Sequence, residues 1–314
     1  MRGIITRALA VLVALSICSL LRAQSAAPDK EHVLYTFWTA QSQYAGYIIA
    51  DEEGLFDKEG LDLILRHYDG TPATDMLSSG RADFISLTLV DALEARLKGL
   101  DLVNIYQFMH ESSFVIVSRN PIKNLQELRG KEILTYRAFN NVLIDEIEKR
   151  LDGDVTIIDV YSCVDVFLAG AFDYLICTSY NELMQLEDSG FKIDRGNVLR
   201  FSQSGLNIPE DGIYVRREFL EKNPETVDKF IRACEAGWAE AETDPEHSLD
   251  IITDKMSRNL LLRNRYHERR MLATMIRLRG KEKSTRLSRE EFDAACAIFD
   301  DEAINSISFE SFTR

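Results

Sequence analysis

Short apolar strand patterns alternate with helical patterns along most of this chain, and this alternation constrains its fold more than any other feature. Strands that alternate with helices favour mainly parallel sheets with helices on both faces, because each parallel pair needs a crossover connection. The sequence therefore predicts an α/β protein. The strand-like segments are Val33–Phe37, Leu61–Leu65, Asp83–Leu87, Val103–Phe108, Phe114–Ser118, Glu132–Thr135, Val155–Val160, Asp173–Ile176, Val198–Phe201 and Gly212–Val215.

The alternation is interrupted where Val103–Phe108 and Phe114–Ser118 are separated only by a short polar stretch. The sequence has no linker rich in Gly, Ser or Pro. We therefore expect the chain to leave one sheet here, enter a second and return through Gly205–Gly212. This predicts two lobes joined by structured segments, the first made of residues 30–112 and 213–314 and the second of residues 113–212.

The C-terminal third reads as helical from Asn223 onward. Asn223 and Asp244 each precede a proline at the first helical position, where the N–H that proline lacks would have no partner anyway. Ser288 and Glu291 have the spacing of a capping box. The basic run Arg263–Arg270 is expected to form a solvated helix face.

Size and charge limit the functions that the chain can have. It has 314 residues, of which 46% are hydrophobic, enough to bury the cores of two ordinary domains. Its formal net charge of −14 opposes binding to nucleic acid or to an anionic membrane, so neither is expected as a main partner. We expect a monomer whose ligand is a small molecule.

The first two dozen residues have the features of a secretory signal peptide. Arg2 and Arg7 form a basic segment before the uncharged apolar stretch Ala8–Leu21, which is too short to span a membrane comfortably. Removal of residues 1–23 on export to the periplasm or the cell exterior is therefore predicted. The alternatives are an uncleaved anchor and a lipoprotein modified at Cys18, which the bulky Ile17 disfavours.

The sequence lacks motifs for catalysis or metal binding. No histidine lies in an HExxH pattern, and neither a GxSxG motif nor a P-loop occurs. Cys163, Cys177, Cys234 and Cys296 have no zinc-ligand spacing and lie in apolar patterns, which favours buried thiols. We therefore expect no enzymatic activity, no cofactor and no metal.

A polar and aromatic cluster follows the first predicted strand and consists of Trp38, Gln41, Gln43 and Tyr44. Ligands of open α/β sheets bind beyond the carboxyl ends of strands. A flat indole beside amide donors and acceptors suits a planar, polar small molecule. These four residues are therefore predicted to bind the ligand; the alternative is that Trp38 fills the core and the glutamines face solvent.

Other polar residues follow the next strands of the first lobe. Asp69, Gly70 and Thr71 come after the second strand, and Thr88 follows the third. Gly70 permits close backbone approach and free amides for an acceptor group. These residues are predicted to line the same site, the alternative being a plain turn and a helix cap.

Asn181 and Glu182 follow a predicted strand of the second lobe and open a helix. A carboxylate beside an amide holds an amino-heteroaromatic through complementary hydrogen bonds, so both residues are predicted to bind the ligand. Alternatively, Ser179 caps the helix and Glu182 completes its capping box.

Two further regions complete the predicted site. Tyr136 heads the first helix of the second lobe and is expected to close over the ligand, and Arg137 is a candidate partner for an anionic substituent. Asp211 lies with Asn207 where the chain is expected to return to the first lobe. We predict that Asp211 also binds the ligand.

A series of short motifs occurs in order between residues 34 and 250. The motifs are Trp38–Tyr47, Glu53–Leu63, Gly80–Phe84, Leu125–Lys131, Ala169–Asp173, Ser179–Glu182, Gly205–Gly212, Lys222–Glu225 and Gly237-Trp238. Each motif is weak alone, but in this order they resemble the family of periplasmic substrate-binding proteins for thiamine pyrimidine precursors. That family includes solute receptors of ABC importers and fungal relatives that make the pyrimidine.

The resemblance implies a type II periplasmic-binding-protein fold, with two mixed, mainly parallel sheets and a ligand cleft between two lobes. It also implies an aminopyrimidine thiamine precursor or a similar small heteroaromatic as ligand, and an ABC permease or a membrane sensor ectodomain as partner. One alternative is a pyrimidine-forming enzyme that uses pyridoxal phosphate, although its cysteine-rich segment is replaced here by Ser202–Leu206. The other is the same fold with a sulfonate, nitrate or riboflavin as ligand.

If the first segment is a cleaved signal peptide, the exported protein begins near Gln24. Terminal sequencing and the intact mass of the exported protein measure this. A retained Met1, or an acyl group on Cys18, would contradict the prediction.

Overall fold

The computed structural model describes residues 31–136, 141–194, 196–280 and 284–314. The predicted signal peptide and Arg137 lie outside these residues. All ten predicted strand patterns correspond to strands whose ends differ by at most two residues. The strands are β1 (His32–Tyr35), β2 (Leu63–Arg66), β3 (Phe84–Thr88), β4 (Leu102–Gln107), β5 (Phe114–Ser118), β6 (Lys131–Tyr136), β7 (Val155–Val160), β8 (Tyr174–Thr178), β9 (Val198–Arg200) and β10 (Asp211–Arg216).

Helices connect most of these strands and form the C-terminal third. Short 3₁₀ turns occur at Ser42–Tyr44, Leu125–Leu128, Phe201–Gln203 and Glu302–Ser306. The α-helices of the described residues are α1 (Ala45–Glu52), α2 (Leu55–Lys58), α3 (Ala73–Ser78), α4 (Leu89–Leu97), α5 (Asn141–Arg150), α6 (Cys163–Leu168), α7 (Glu182–Asp188), α8 (Arg217–Lys222), α9 (Pro224–Thr243), α10 (Pro245–Arg258), α11 (Arg265–Leu278), α12 (Arg289–Cys296) and α13 (Phe309–Phe312).

The described strands form two five-stranded sheets with matching topology. Their orders are β2-β1-β3-β10-β4 and β7-β6-β8-β5-β9. In the first sheet β10 is antiparallel to β3 and β4, and in the second β5 is antiparallel to β8 and β9, whereas the other pairs are parallel. Each reversed strand is the one that the chain enters after leaving the other sheet. The predicted fold class, mixed and mainly parallel sheets flanked by helices, is confirmed.

We call each sheet with the helices packed on it a lobe. Strands of the first sheet lie within residues 32–107 and 211–216, and those of the second within 114–200. Strand β10 begins two residues before the predicted boundary at 213, because Asp211 and Gly212 already pair with β3. The full lobe limits, 30–112 with 213–314 and 113–212, stay a prediction.

Helix starts in the C-terminal third agree with the sequence signals. Helices α9 and α10 begin at their prolines, and the Asp244 carboxylate accepts a hydrogen bond from the backbone N–H of His247 at 3.1 Å. Ser288 and Glu291 form the predicted capping box at α12. None of the described helices combines the length and the apolar character that crossing a membrane requires.

Two glycines allow α1 and α9 to pack closely in the core of the first lobe. A Cβ atom on Gly237 would lie 2.0 Å from the carbonyl oxygen of Gly46, and one on Gly46 would lie 2.3 Å from the Trp238 indole. Trp238 is fully buried and stacks on Phe108 with 4.0 Å between ring centroids. This contact fixes α1, which begins directly after the turn that carries the predicted ligand-binding residues.

Replacing Gly237 with alanine tests this close approach. Alanine is the better helix former by about 1 kcal/mol, but here its methyl group would overlap the backbone of α1. Gly237→Ala should therefore lower the free energy of unfolding by about 1–3 kcal/mol, the usual cost of overpacking. Urea denaturation measures it, and Glu235→Ala on the exposed face of α9 is the matched control. A stabilised Gly237→Ala protein would contradict the described packing.

Candidate functional site

A cavity of about 530 Å³ lies between the two lobes. Its walls come from the carboxyl ends of parallel strands in both sheets, through Trp38 and Thr88 on one side and Tyr136 and Asn181 on the other. The reversed strand β10 begins at the same edge, so Asp211 also lines the cavity. The topology thus places the cleft where ligands of open α/β sheets bind.

Most of the predicted site residues meet at this cavity. Residues from the first turn, from β3, from the second lobe and from the return strand are brought together across long stretches of sequence. The predicted residues that line it are Trp38, Gln41, Gln43, Thr88, Tyr136, Asn181, Glu182 and Asp211.

Three aromatic rings meet on the cavity wall. The Trp38 indole lies nearly parallel to the Tyr68 ring, with 6.0 Å between centroids and an interplanar angle of 8°. Tyr136, from the second lobe, meets Trp38 edge-on at 5.7 Å and 86°. The two lobes therefore touch through aromatic groups beside the cavity, and these rings offer flat faces to a planar ligand.

The two glutamines form a buried hydrogen-bond chain that ends on Asp211. Gln41 Nε2 donates to Gln43 Oε1 at 2.7 Å, and Gln43 Nε2 donates to Asp211 Oδ2 at 2.7 Å. Burial raises the pKa of Asp211 to about 8, with the Gln43 hydrogen bond acting in the opposite direction and the neighbouring Glu210 adding to the rise. The chain fixes the orientation of the Asp211 carboxyl group at the cavity wall.

Glu210 fastens together the two segments that connect the lobes, residues 108–113 and 201–210, which we call the hinge. Its carboxylate accepts hydrogen bonds from the hydroxyl groups of Ser112 at 2.9 Å and Ser113 at 2.6 Å. Asn207 Oδ1 adds a bond from the backbone N–H of Ser112 at 3.0 Å. Burial raises the pKa of Glu210 to about 7, although the bonds from Ser113 and Ser112 oppose the rise.

Glu182 is held by the end of strand β8. Its carboxylate accepts hydrogen bonds from Thr178, through the backbone N–H at 3.0 Å and the hydroxyl at 2.5 Å, and from Asn181 Nδ2 at 2.8 Å. No side chain caps α7. The alternative that Ser179 and Glu182 form a capping box is therefore wrong, because Thr178 takes the place of Ser179 as partner.

A contact between the lobes lies next to this group. His267 Nε2, on α11 of the first lobe, is 3.1 Å from Asn181 Oδ1, which also accepts from Gln185 Nε2 at 2.8 Å. Arg270 of α11 pairs with Asp188 at 2.7 Å and with Glu187. The expectation that the basic run is only a solvated face is wrong for Arg270, because α11 packs beside α7.

Tyr44 lies outside the cavity lining, in contrast to its predicted place. Its side chain is fully buried, with its ring edge-on to Phe37 at 6.1 Å between centroids. The 3₁₀ turn Ser42–Tyr44 directs it into the core of the first lobe.

Asp69, Gly70 and Thr71 also lie outside the lining. The Asp69 carboxylate accepts a hydrogen bond from the backbone N–H of Thr71 at 3.0 Å and lies 2.9 Å from the Tyr35 hydroxyl. Gly70 has a φ of +104°, which favours glycine. The plain turn is therefore the role that the structure gives these residues, since the acceptor is satisfied within the turn.

Thr88 has two roles. It lines the cavity, and its hydroxyl caps α4 by accepting from the backbone N–H of Asp91 and donating to the Asp91 carboxylate at 2.6 Å. The helix cap that the sequence offered as an alternative is thus present at a residue of the cavity wall.

Several cavity residues escaped sequence reasoning. Tyr161 and Ser162 follow β7, so the rule that selected Tyr136 after β6 was available for them too. Others lie in helices or in the hinge, and selecting residues that directly follow a predicted strand cannot identify them. The missed lining residues include Tyr68, Asp91, Phe114, Tyr161, Ser162, Cys163, Asp165, Thr178, Tyr180, Gln185 and Glu210.

A family model described as NMT1/THI5 like matches residues 41–248. The chain belongs to this family. The match spans the turn after β1, both lobes, the hinge and the start of the C-terminal helices, and it confirms the resemblance that the motifs indicated.

Relatives of this family member have more than one kind of function. The chain is 26% identical over 246 residues to the riboflavin-binding protein RibY of Chloroflexus aurantiacus. This match covers 72% of this chain and 68% of that protein. It is 23% identical over 224 residues to the 4-amino-5-hydroxymethyl-2-methylpyrimidine phosphate synthase THI12 of Saccharomyces cerevisiae. This match covers 66% of this chain and 66% of that protein.

The fold is that of periplasmic binding proteins. The periplasmic aliphatic sulphonate-binding protein SsuA from Escherichia coli matches with a TM-score of 0.64 at 15% identity, over 87% of this chain and 86% of that protein. The predicted two-lobed fold is thereby confirmed.

The raised pKa values of the hinge carboxyl groups predict how stability depends on pH. Free carboxyls of these types titrate at 4.5 and 3.8, whereas burial raises the pKa of Glu210 to about 7 and that of Asp211 to about 8. The folded protein therefore binds protons more tightly than the unfolded chain, so these groups favour folding at low pH and cost stability as the pH rises from about 4 to about 8.

Asp211→Asn, which cannot ionise, should flatten this fall in the free energy of unfolding. Urea denaturation across that pH range measures the slope, and Asp62→Asn, an exposed residue outside the cavity, is the charge-matched control. Equal slopes for Asp211→Asn and the unmodified protein would contradict the prediction.

Proposed function

We propose that this protein is an extracytoplasmic solute-binding protein that captures a small heteroaromatic ligand for import by an ABC permease. An aminopyrimidine related to thiamine precursors is the ligand class we favour. The observation that carries the proposal is the cavity between the lobes, where aromatic rings and hydrogen-bonding groups from both lobes converge.

The shape of the cavity suits a planar ligand of modest size. Its volume of about 530 Å³ lies within the range of roughly 300–1,000 Å³ that small-molecule sites occupy. Trp38 presents a ring from the first lobe and Tyr136 one from the second. A ligand bound between them would contact both lobes, so its binding would favour their closure.

The polar groups suit the edge of a nitrogen heterocycle. Glu182 and Asp211 bring carboxyl oxygens, which accept hydrogen bonds from exocyclic amines, and Asn181 adds an amide. The names of the two relatives refer to riboflavin and to an aminopyrimidine, which are both planar nitrogen heterocycles. This shared ring class supports the proposal without distinguishing between the two ligands.

The enzyme alternative receives no support from the lining of the cavity. Pyridoxal phosphate is held as a Schiff base on a lysine, and its phosphate requires cationic or backbone donors. Among the described residues that line the cavity there is no lysine, arginine or histidine. These residues do not fit pyridoxal phosphate, and they do not provide the cation that a sulfonate or nitrate would require. Binding is therefore favoured over catalysis, and a heteroaromatic over an inorganic or sulfonated anion.

The two-lobed arrangement supports delivery to a membrane partner. The contact of His267 and Arg270 with the second lobe lies beside the cavity. The shape of the outer surface formed by α11 and α7 therefore depends on the relative orientation of the two lobes. A partner that recognises this joint surface would distinguish closed from open protein. An ABC permease is the partner we propose, and a membrane sensor ectodomain is the alternative.

Trp38→Ala tests the stacking face. Loss of an aromatic platform should weaken binding of riboflavin or of 4-amino-5-hydroxymethyl-2-methylpyrimidine by about 1–3 kcal/mol. The affinity of Trp38→Phe should lie between those of Trp38→Ala and the unmodified protein. Calorimetry measures both probes, and Leu262→Ala, which removes an exposed apolar side chain outside the cavity, is the control. Failure of both probes to bind the unmodified protein would contradict the proposed ligand class.

Glu182→Ala tests the second lobe in the same titrations. It should weaken binding by a similar amount and also lower the melting temperature, because the bonds from Thr178 to the carboxylate are lost. If the variant melts earlier but binds as well as the unmodified protein, the carboxylate is structural. Turnover of pyridoxal phosphate to a pyrimidine above buffer controls would overturn the binding-protein assignment.

A further inference from the structure

The titratable carboxyl groups of the cavity lining have no basic counterpart. Five carboxyl side chains line it, whereas its described lining residues include no lysine, arginine or histidine. They come from both lobes and from the hinge, so any ligand that fills the space between the lobes faces several of them. The five are Asp91, Asp165, Glu182, Glu210 and Asp211.

The hydrogen bonds recorded for three of these groups come from neutral donors. Glu210 accepts from serines, Glu182 from a threonine and an asparagine, and Asp211 from Gln43. Neutral donors orient a carboxylate and reduce the cost of its burial, but they supply no opposite charge. A cation that enters the cavity would supply the opposite charge that these neutral donors lack.

The aromatic wall has the same preference. Indole and phenol rings carry partial negative charge on their faces and attract cations within about 6 Å of the ring centre. Trp38, Tyr68 and Tyr136 are grouped together on the wall, beside the carboxyl groups. The aromatic rings and the carboxyl groups of the cavity therefore both favour a cationic ligand.

Asp211 is better placed to act on the ligand than Glu210 or Glu182. Both oxygens of Glu210 and of Glu182 accept hydrogen bonds within the protein. Asp211 has a single recorded side-chain bond, from Gln43 to Oδ2, and Gln43 holds the carboxyl group in position at the cavity wall. Burial raises the pKa of Asp211 to about 8, so the carboxyl group is largely protonated at neutral pH as long as the cavity holds no positive charge, and a bound cation would favour its ionised form.

We propose that the ligand carries a positive charge and that Asp211 is the counter-charge that selects a cationic heteroaromatic over its neutral and phosphorylated analogues. This inference rests on the proposed function, because it specifies the charge of the ligand of the same cavity. A phosphate ester would bring negative charge into an acidic cavity, and a neutral ring would offer no charge that favours the ionised form of Asp211.

Three probes with one ring and different charges test the proposal. They are 4-amino-5-hydroxymethyl-2-methylpyrimidine, which is neutral at slightly alkaline pH, its 5-aminomethyl analogue, which is an ammonium ion, and its phosphate ester, which is an anion. Calorimetric titration of the mature protein should show the ammonium probe binding about tenfold more tightly than the neutral probe, on the scale of a desolvated cation–π or charge pair. The phosphate ester should bind more weakly than either.

Variants then assign the preference to Asp211. Asp211→Asn should lower the ratio of ammonium to neutral-probe affinity by about tenfold, whereas Asp62→Asn, an exposed acid outside the cavity, should leave it unchanged. Thermal melts establish that both variants are folded. A melt that shows Asp211→Asn unfolded would move the test to Asp211→Glu, which keeps the charge and should keep the ratio above one.

The outcomes separate this inference from the proposed function. Binding of the neutral or phosphorylated probe as tightly as the ammonium probe would overturn the charge preference and leave the heteroaromatic ligand class intact. An unchanged ratio in Asp211→Asn would remove Asp211 from the role of counter-charge. Failure of every probe, with riboflavin failing as well, would overturn the proposed ligand class and this inference with it.

Discussion

Glu210 joins the two connecting segments of the hinge through its hydrogen bonds to Ser112 and Ser113. These bonds hold the two segments side by side at the point where the chain passes between the lobes. Burial of a carboxyl group is costly unless it is well bonded, and here the hydroxyl groups of one segment satisfy the acid of the other. The geometry of the cavity depends on this contact, since its walls belong to different lobes.

The cavity illustrates how topology brings together chemistry that is scattered along the sequence. Both sheets turn the carboxyl ends of their parallel strands towards the cleft, and the reversed strands begin at the same edge. Asp211 therefore has two connected roles. As the first residue of β10 it pairs with Thr88 of β3, and as a buried acid held by Gln43 it forms part of the cavity wall. A substitution there changes the hinge side of the first sheet and the site together.

Local and ordered signals made much of the fold predictable. Strand patterns, prolines at helix starts and the series of family motifs are readable in sequence because each depends on neighbouring residues. Whether a single side chain is buried in the core or lines the cavity is much harder to predict from the sequence. Tyr44 lies one residue after Gln43, yet the 3₁₀ turn directs it into the core while Gln43 lines the cavity. The pairing of Arg270 with Glu187 and Asp188 depends on two helices from different lobes, and sequence periodicity carries no information about that distance.

The contact between α11 and α7 couples the protein to the ionic strength of its surroundings. Arg270 and its acidic partners are partly exposed, and charges of this kind interact over a Debye length of about 8 Å at physiological salt and less at higher salt. Because these pairs join the two lobes, added salt weakens an interaction that favours closure without altering any group in the cavity. The salt dependence of the affinity for an uncharged probe would then report the free energy of bringing the lobes together, whereas a charged probe adds the screening of its own contacts with the cavity.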